Sequence, residues 1–349
     1  MQHQSPTIPA LVRMKTGALD RVGIYMRRAE RKKVVMLQSA GLPEPIVQRA
    51  VESLERERIE LVKLAEPEKA SLEAATEVFA GLSGSFDAII GLGGGKALDM
   101  AKFLAVLANR PYYAIPTSLS NDGFCSPQAS LTVGGRRKSI GARIPAGIIV
   151  DLEVCLAAPR PLWWSGVGDL VSKITAVHDW RLAFHADGTP FNDFAALLSD
   201  ATVHQFISSP ARDTAGIRVL ATALMLNGVA MEICGNSRPA SGGEHLVSHA
   251  LDSFSKRPRL HGLQVGVATY IVSHLQGQGT DSIADVLAKT NFWAAFQDDP
   301  LDRAEWIEAF RRAPGIKQDF HTILSQPGYM DEVERLLRED PRLAAVFGG

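Results

Sequence analysis

The chain has 349 residues, 46% of them hydrophobic and 21% charged, which suits two domains with packed cores and excludes a disordered chain. Lys+Arg is 37 and Asp+Glu is 38, a formal net charge of -1, so there is no electrostatic drive toward nucleic acid or an anionic membrane. Cys125, Cys155 and Cys234 are too few and too scattered for a disulfide framework. The opening MQHQSPTIPA has no apolar leader segment. The longest apolar run, Val219 to Ile233, is interrupted by Asn227 and Glu232 and falls short of a membrane span. A soluble, cytoplasmic globular protein is expected, without nucleic-acid or membrane partners and with a homo-oligomer left open.

In chain order, the first half alternates short β-type runs with helical patterns. Strands are predicted at Val34 to Gln38, Ile59 to Leu64, Phe86 to Gly91, Tyr112 to Pro116 and Gly147 to Asp151. Helices are predicted over Glu44 to Glu55, Pro67 to Leu82 and Lys96 to Leu107 from the spacing of apolar positions. Ser130 to Val133, Gly134-Gly135 and Lys138 to Ala142 read as a hairpin. This alternation argues for βαβ units and a parallel sheet, hence an α/β domain over residues 1–158. From Leu162 to Leu343 almost everything reads as helix, with examples at Leu170 to Phe184, Thr214 to Cys234, Glu244 to Phe254 and Leu263 to Leu275. Residues 159–349 are therefore expected to form an all-helical domain.

Two loops carry chemistry in the first half. Ile90-Gly91-Leu92-Gly93-Gly94-Gly95-Lys96-Ala97-Leu98-Asp99 is a strand, a glycine turn and a helix start. Such a turn lets backbone N–H groups approach a pyrophosphate at a helix N-terminus. A tight turn without a ligand is the bland alternative. Lys102 reads as an ion pair on the helix face. The second loop, Pro116 to Pro127, gathers hydroxyls, an amide and a carboxylate at a strand's C-terminal end, where open α/β sheets bind ligands. An Asx-rich turn would look the same.

Histidines cluster in the second half. His245 and His249 stand four apart on one helical face, and His261 opens the next helix. Asp169, expected at the opening of the domain's first helix, is the strongest carboxylate to complete a His/His/carboxylate metal site, for which zinc is the natural occupant. An N-cap role for Asp169 and ordinary polar roles for the histidines remain alternatives. His3, His178, His185, His204, His274 and His321 are isolated and read as surface or core histidines.

These residues together resemble a known family. Gly93-Gly94-Gly95 with Asp99, Thr117-Ser118 with Asp122-Gly123 and Ser126-Pro127, and Gly166-x-Gly168-Asp169 with Lys173 look like the sn-glycerol-1-phosphate dehydrogenases. So does Ser237-Arg238-Pro239-Ala240-Ser241-Gly242-Gly243-Glu244-His245, leading to His249 and to His261-Gly262-x-Gln264. That family belongs with the iron-containing alcohol dehydrogenases and dehydroquinate synthases. The resemblance implies a dehydroquinate synthase-like fold, with Asp169, His245 and His261 binding one divalent metal: zinc first, nickel or iron as alternatives. It implies that Asp122, Asp169 and His249 meet the substrate. Gly93, Gly94, Gly95, Lys96, Asp99, Thr117, Ser118, Ser120 and Ser126 would hold NAD or NADP. The implied substrate is small and phosphorylated: dihydroxyacetone phosphate, reversibly reduced to sn-glycerol 1-phosphate in a cleft between the domains. A polyol (glycerol-type) dehydrogenase or a dehydroquinate synthase-like cyclase on the same scaffold is the alternative. Arg238 and the cluster Arg136, Arg137, Lys138 and Arg143 are candidate anion-binding groups, with a solvated basic surface the alternative for most of the last four. Gln38 ends a strand where an acidic residue often grips the adenosine ribose, so weak discrimination between NADH and NADPH is expected.

Overall fold

A computed structural model describes residues 6–348; His3 lies outside them. The chain begins β1 (Leu11–Lys15), α1 (Val22–Arg28), β2 (Lys33–Gln38), α2 (Glu44–Arg56), β3 (Glu60–Ala65), α3 (Leu72–Ala80), β4 (Ala88–Gly93), α4 (Gly95–Leu107) and β5 (Tyr112–Pro116). It continues through β6 (Gln128–Val133), β7 (Arg136–Gly141), β8 (Gly147–Asp151) and α5 (Leu152–Ala157). The remainder is α6 (Arg160–Asp187), α7 (Asp193–Ser208), α8 (Thr214–Cys234), α9 (Gly243–Phe254), α10 (His261–Gln276), α11 (Thr280–Lys289), β9 (Leu301–Asp302), α12 (Arg303–Arg312), α13 (Tyr329–Glu339), α14 (Pro341–Ala344) and β10 (Phe347–Gly348).

Two compact units are present. The first runs to Ala158 and includes Asp213–Ile233; the second comprises Pro159–Arg212 and the chain from Cys234 onward. In the first unit, six parallel strands form one sheet in the order β1-β8-β5-β4-β2-β3, and β6 and β7 form a separate antiparallel pair. Val34, Val35, Met36 and Leu37 of β2 are all fully buried, as a strand covered on both faces requires. Strand order reverses between β2 and β4: the chain leaves β2 for β3 on one side, then returns to β4 and β5 on the other. This makes the C-terminal ends of β2 and β4 the switch point at which open α/β sheets bind ligands.

Several expectations are corrected. Strand β1, pairing with β8 from Leu11↔Gly147 to Lys15↔Asp151, was not expected; its LVRMK sequence lacks a continuous apolar run. α3 starts later than its apolar spacing suggests, because Ser71 caps it by accepting the Ala74 N–H at 3.1 Å. α6 starts ten residues earlier than the expected Leu170, with Pro159 as N-cap. The second domain is not wholly helical, since β9 and β10 form a short parallel pair. Residues 213–233 pack with the first unit rather than the second. A Cβ on Gly228 of α8 would lie 2.6 Å from the Cys125 backbone, which shows how closely that helix sits. α8 also passes the length and composition test for a bilayer span that the interrupted apolar run seemed to fail, yet 56% of its apolar window is buried. It is a core helix of its unit.

The sheet is tied to its first helices by one carboxylate. Asp151, at the end of β8, is 2% exposed. Its Oδ2 accepts the Leu19 N–H at 3.1 Å and an Arg49 N–H at 3.2 Å, and its Oδ1 accepts the Glu153 N–H at 3.2 Å as the N-cap of α5. Asp151→Ala strands the Leu19 and Glu153 N–H groups and leaves Arg49 with Asp20 alone, and is expected to cost about 2–4 kcal/mol. The shift in urea midpoint between the two proteins, at unchanged m-value, measures that cost.

Candidate functional site

The glycine turn lies at the switch point. Gly93 ends β4 at φ +137°, and a Cβ there would fall 2.2 Å from the Ser39 hydroxyl. Only glycine fits that position. Gly94 is the N-cap of α4 and donates its N–H to Ser39 Oγ at 2.9 Å. A Cβ on Gly95 would meet nothing within 4 Å. The first-turn N–H groups of Gly95, Lys96 and Ala97 have no acceptor inside the helix. An open space therefore stands over a helix N-terminus, the shape and polarity that a pyrophosphate needs. Lys96 is exposed. The neighbouring loop is joined to the turn by the Thr117 N–H, which donates to Gly93 O at 3.0 Å. Thr117, Ser118, Ser120 and Asp122 are half-buried along it, while Ser126 is buried and accepts the Gln128 N–H at 3.1 Å.

Lys102 proves to be more than a helix-face ion pair. It is fully buried, and its ammonium donates to Gly123 O and Gln128 O, each at 2.7 Å, with Asp99 Oδ1 at 3.5 Å. Burial is the largest influence on both groups, raising the Asp99 carboxyl and lowering the Lys102 ammonium, and their attraction opposes it. Asp99 also takes the Ser130 N–H. The pair thus clamps the second loop onto the helix that carries the glycine turn. Sequence reasoning missed this because a lysine three residues after an aspartate looks like an exposed i,i+3 pair.

A second missed residue is Glu66, just beyond β3. Its Oε2 accepts from Gln38 Nε2 at 2.7 Å and its Oε1 from the Gly41 N–H at 3.3 Å. The end of β2 is therefore not without a carboxylate, contrary to what Gln38 alone suggested.

In the second unit, Asp169, His245 and His261 each offer a ligand atom, and these atoms all lie within 4.8 Å of one another. Asp169 sits in the body of α6, not at its N-terminus. Close helix packing makes the cluster: a Cβ on Gly168 would lie 2.0 Å from Gly262 O, and one on Gly262 would lie 1.8 Å from Ser165 O. This brings His261, the first residue of α10, to 3.9 Å from Asp169 Oδ1, while His245 Nε2 of α9 lies 3.5 Å from the same oxygen. Lys173, one turn along α6, is 3.4 Å from Asp169 Oδ2 and donates to Ala240 O at 3.1 Å. Burial pushes the Asp169 carboxyl up, but the Lys173 ammonium and the His245 hydrogen bond outweigh it and hold the group well below the usual carboxylate range.

Each imidazole is held from behind. Glu244, fully buried, faces His245 Nδ1 with Oε1 at 2.8 Å, and Ser248 Oγ lies 3.1 Å from His261 Nδ1. A proton on each Nδ1 leaves Nε2 as the lone pair facing Asp169, the tautomer a metal ligand needs. The donor set of two imidazoles and one carboxylate suits a divalent ion with an open coordination position. His249 is exposed, with its ring stacked 5.8 Å from that of His261; it borders the cluster without belonging to it. Arg238, an anion-binding candidate, is buried instead, donating to His321 O at 2.6 Å and lying over the Phe320 ring.

The N-terminus of α9 rests on two buried carboxylates. Glu244 Oε1 also accepts the Gly242 N–H at 2.6 Å, and Asp179 Oδ2 accepts the Gly243 N–H at 2.7 Å. A Cβ on Gly242 would lie 2.7 Å from Asp179 Oδ2 and 2.9 Å from Glu244 Oε2. The Gly-Gly-Glu-His order therefore has a packing reason.

A family model described as iron-containing alcohol dehydrogenase matches residues 13–159. The protein named glycerol-1-phosphate dehydrogenase (NAD(P)+) of Methanothermobacter thermautotrophicus is 37% identical over 294 residues, covering 83% of this chain and 84% of the relative. Its namesake from Methanosphaera stadtmanae is 32% identical over 338 residues, covering 95% and 96%. Among solved structures, a glycerol dehydrogenase from Schizosaccharomyces pombe superposes with a TM-score of 0.73 at 17% identity, covering 96% of this chain and 91% of that one. An iron-containing alcohol dehydrogenase from Corynebacterium glutamicum gives 0.71 at 17% identity, covering 99% of each. At that identity these two establish the fold.

Two outcomes follow from the buried carboxylates. Glu244→Gln removes the charge behind His245 and is expected to weaken divalent-metal binding by about 10-fold, measured by competition with a chelator of known affinity. For Asp179, burial and then the Glu244 charge push the carboxyl up to about 7, against three N–H donors that pull it down. Between about pH 4 and 7 the folded chain keeps a proton that an unfolded aspartate has released, so this group's contribution to stability is lost as pH rises through that window. Asp179→Asn is expected to gain on the wild type by on the order of 2–4 kcal/mol across the same window. Urea midpoints at the two ends of the range test the sign.

Proposed function

The chain belongs to the glycerol-1-phosphate dehydrogenases, and we propose that it catalyses the reversible reduction of dihydroxyacetone phosphate to sn-glycerol 1-phosphate with NAD(P)H. The observation that carries this reading is the Asp169–His245–His261 cluster, in a chain that also places an open glycine turn at the switch point of a parallel sheet. Asp169, His245 and His261 are assigned as the ligands of one divalent ion, with zinc the first choice and nickel or iron compatible with the same donors. Such an ion, when bound, supplies Lewis-acid polarisation of a ketone oxygen. Bound NAD(P)H supplies the hydride, which with one proton turns C=O into CH–OH.

The chain's own residues do the rest. Glu244 and Ser248 fix the two imidazoles through their Nδ1 atoms, and Lys173 balances the Asp169 charge. Gly93 to Lys96 are assigned to the pyrophosphate, and Thr117, Ser118, Ser120 and Ser126 to the rest of the dinucleotide loop. Asp99 supports that loop through Lys102. His249 and Asp122 are assigned to substrate contact and to proton delivery.

A site shaped for a phosphate leaves donors unpaired when the phosphate is missing, and that binding energy is then lost from the transition state. Comparing dihydroxyacetone phosphate with dihydroxyacetone, under identical NADH and metal conditions, should give kcat/KM values about 10² to 10³ apart in favour of the phosphorylated ketone. Equal values, or a preference for the plain ketone, would place the chain's activity among the polyol dehydrogenases.

A further inference from the structure

We propose that Glu66 makes the dinucleotide site of the first unit favour NADH over NADPH, acting from the end of β3 at the position where the adenosine ribose is bound. This rests on the dinucleotide reading of the glycine turn and goes beyond it.

The placement comes from the sheet. β2 and β4 are parallel neighbours with Gln38 opposite Leu92, and Ser39 Oγ takes the Gly94 N–H at 2.9 Å. The end of β2 therefore touches the turn that faces the pyrophosphate. In parallel α/β sites the ribose next to that pyrophosphate is read at the neighbouring strand end, where a carboxylate accepts from its 2′-hydroxyl. Here β2 ends in the amide of Gln38. The carboxylate comes from one strand further out: β3 runs parallel to β2 with Ala65 opposite Leu37, so Glu66 emerges beside Gln38 at the same edge.

Gln38 Nε2 and the Gly41 N–H hold the two Glu66 oxygens, at 2.7 and 3.3 Å. Both donors are uncharged, so they orient the carboxylate without neutralising it. Glu66 is exposed and so is within reach of a ligand. A 2′-hydroxyl can donate to such a group, whereas a 2′-phosphate brings two like charges to it. That repulsion is a device for discrimination. Because the carboxylate is exposed, its effect should be modest and should fade with salt.

The test is direct binding, read from nicotinamide fluorescence, of NADH and NADPH to the full-length protein and to Glu66→Gln. In low salt the wild type should bind NADH about tenfold more tightly than NADPH. Glu66→Gln should tighten NADPH about five- to tenfold and change NADH less than about threefold. Raising the ionic strength should narrow the gap in the wild type and leave it unchanged in the variant. Gln38→Ala, which frees the Glu66 side chain, should lose part of the discrimination. An NADPH-to-NADH ratio that is the same in wild type and Glu66→Gln overturns the proposal. A wild type that binds neither dinucleotide overturns instead the reading of the glycine turn on which it rests.

Discussion

Helices α6 and α10 meet backbone to backbone, and the geometry of the Asp169–His245–His261 cluster depends on that contact. Gly168, Gly262 and Gly266 make it possible, since a Cβ on Gly266 would lie 2.9 Å from Gly168 Cα and one on Gly168 would lie 2.0 Å from Gly262 O. A methyl group at either of the first two positions would force the helices apart by more than side-chain adjustment can absorb. Asp169 follows Gly168 directly, and His261 directly precedes Gly262. The glycines thus set the separation of an acid and an imidazole carried by different helices.

Once Asp169 is buried there, the neighbouring charges are constrained too. An isolated carboxylate in such a place would be costly, and Lys173 and His245 offset that cost. His245 is in turn backed by Glu244, and the N–H groups at the start of α9 are satisfied by Glu244 and Asp179. Asp179 also receives the Ile323 N–H at 2.8 Å and Gln276 Nε2 at 2.9 Å. Removing one member strands the others. Such a network is a poor way to gain stability and a good way to hold one imidazole in one orientation.

The first unit works by a different rule. There the ligand edge is made by strand order, and rigidity comes from one buried cation. Lys102 spans from α4 to one carbonyl inside the short turn at Asp122–Phe124 and to another beyond it, at Gln128. The glycine turn and the hydroxyl-bearing loop after β5 are therefore tied to each other, which preorganises the groups assigned to the dinucleotide.

Much of this was legible in the chain itself. The parallel strands β2, β4, β5 and β8 could be read because strands covered on both faces need unbroken apolar runs, and the glycine turn and the His245–His261 grouping are local in sequence. β1 could not, because its LVRMK sequence carries no such run, whereas the opposite edge strand β3 kept enough apolar residues to be read although its residues are half-buried or exposed. α8 could not be assigned to a unit, because its apolar pattern says that it is buried but not against what. The roles of Lys102 and Glu66 were equally hidden. Lys102 is defined by carbonyls 21 and 26 residues away and Glu66 by an amide 28 residues away. Sequence alone determined residue type, period and turn chemistry, because these act over a few neighbouring residues. Which side chains share a point in space was decided only by the tertiary structure, through strand order in one unit and the glycine-lined approach of two helices in the other.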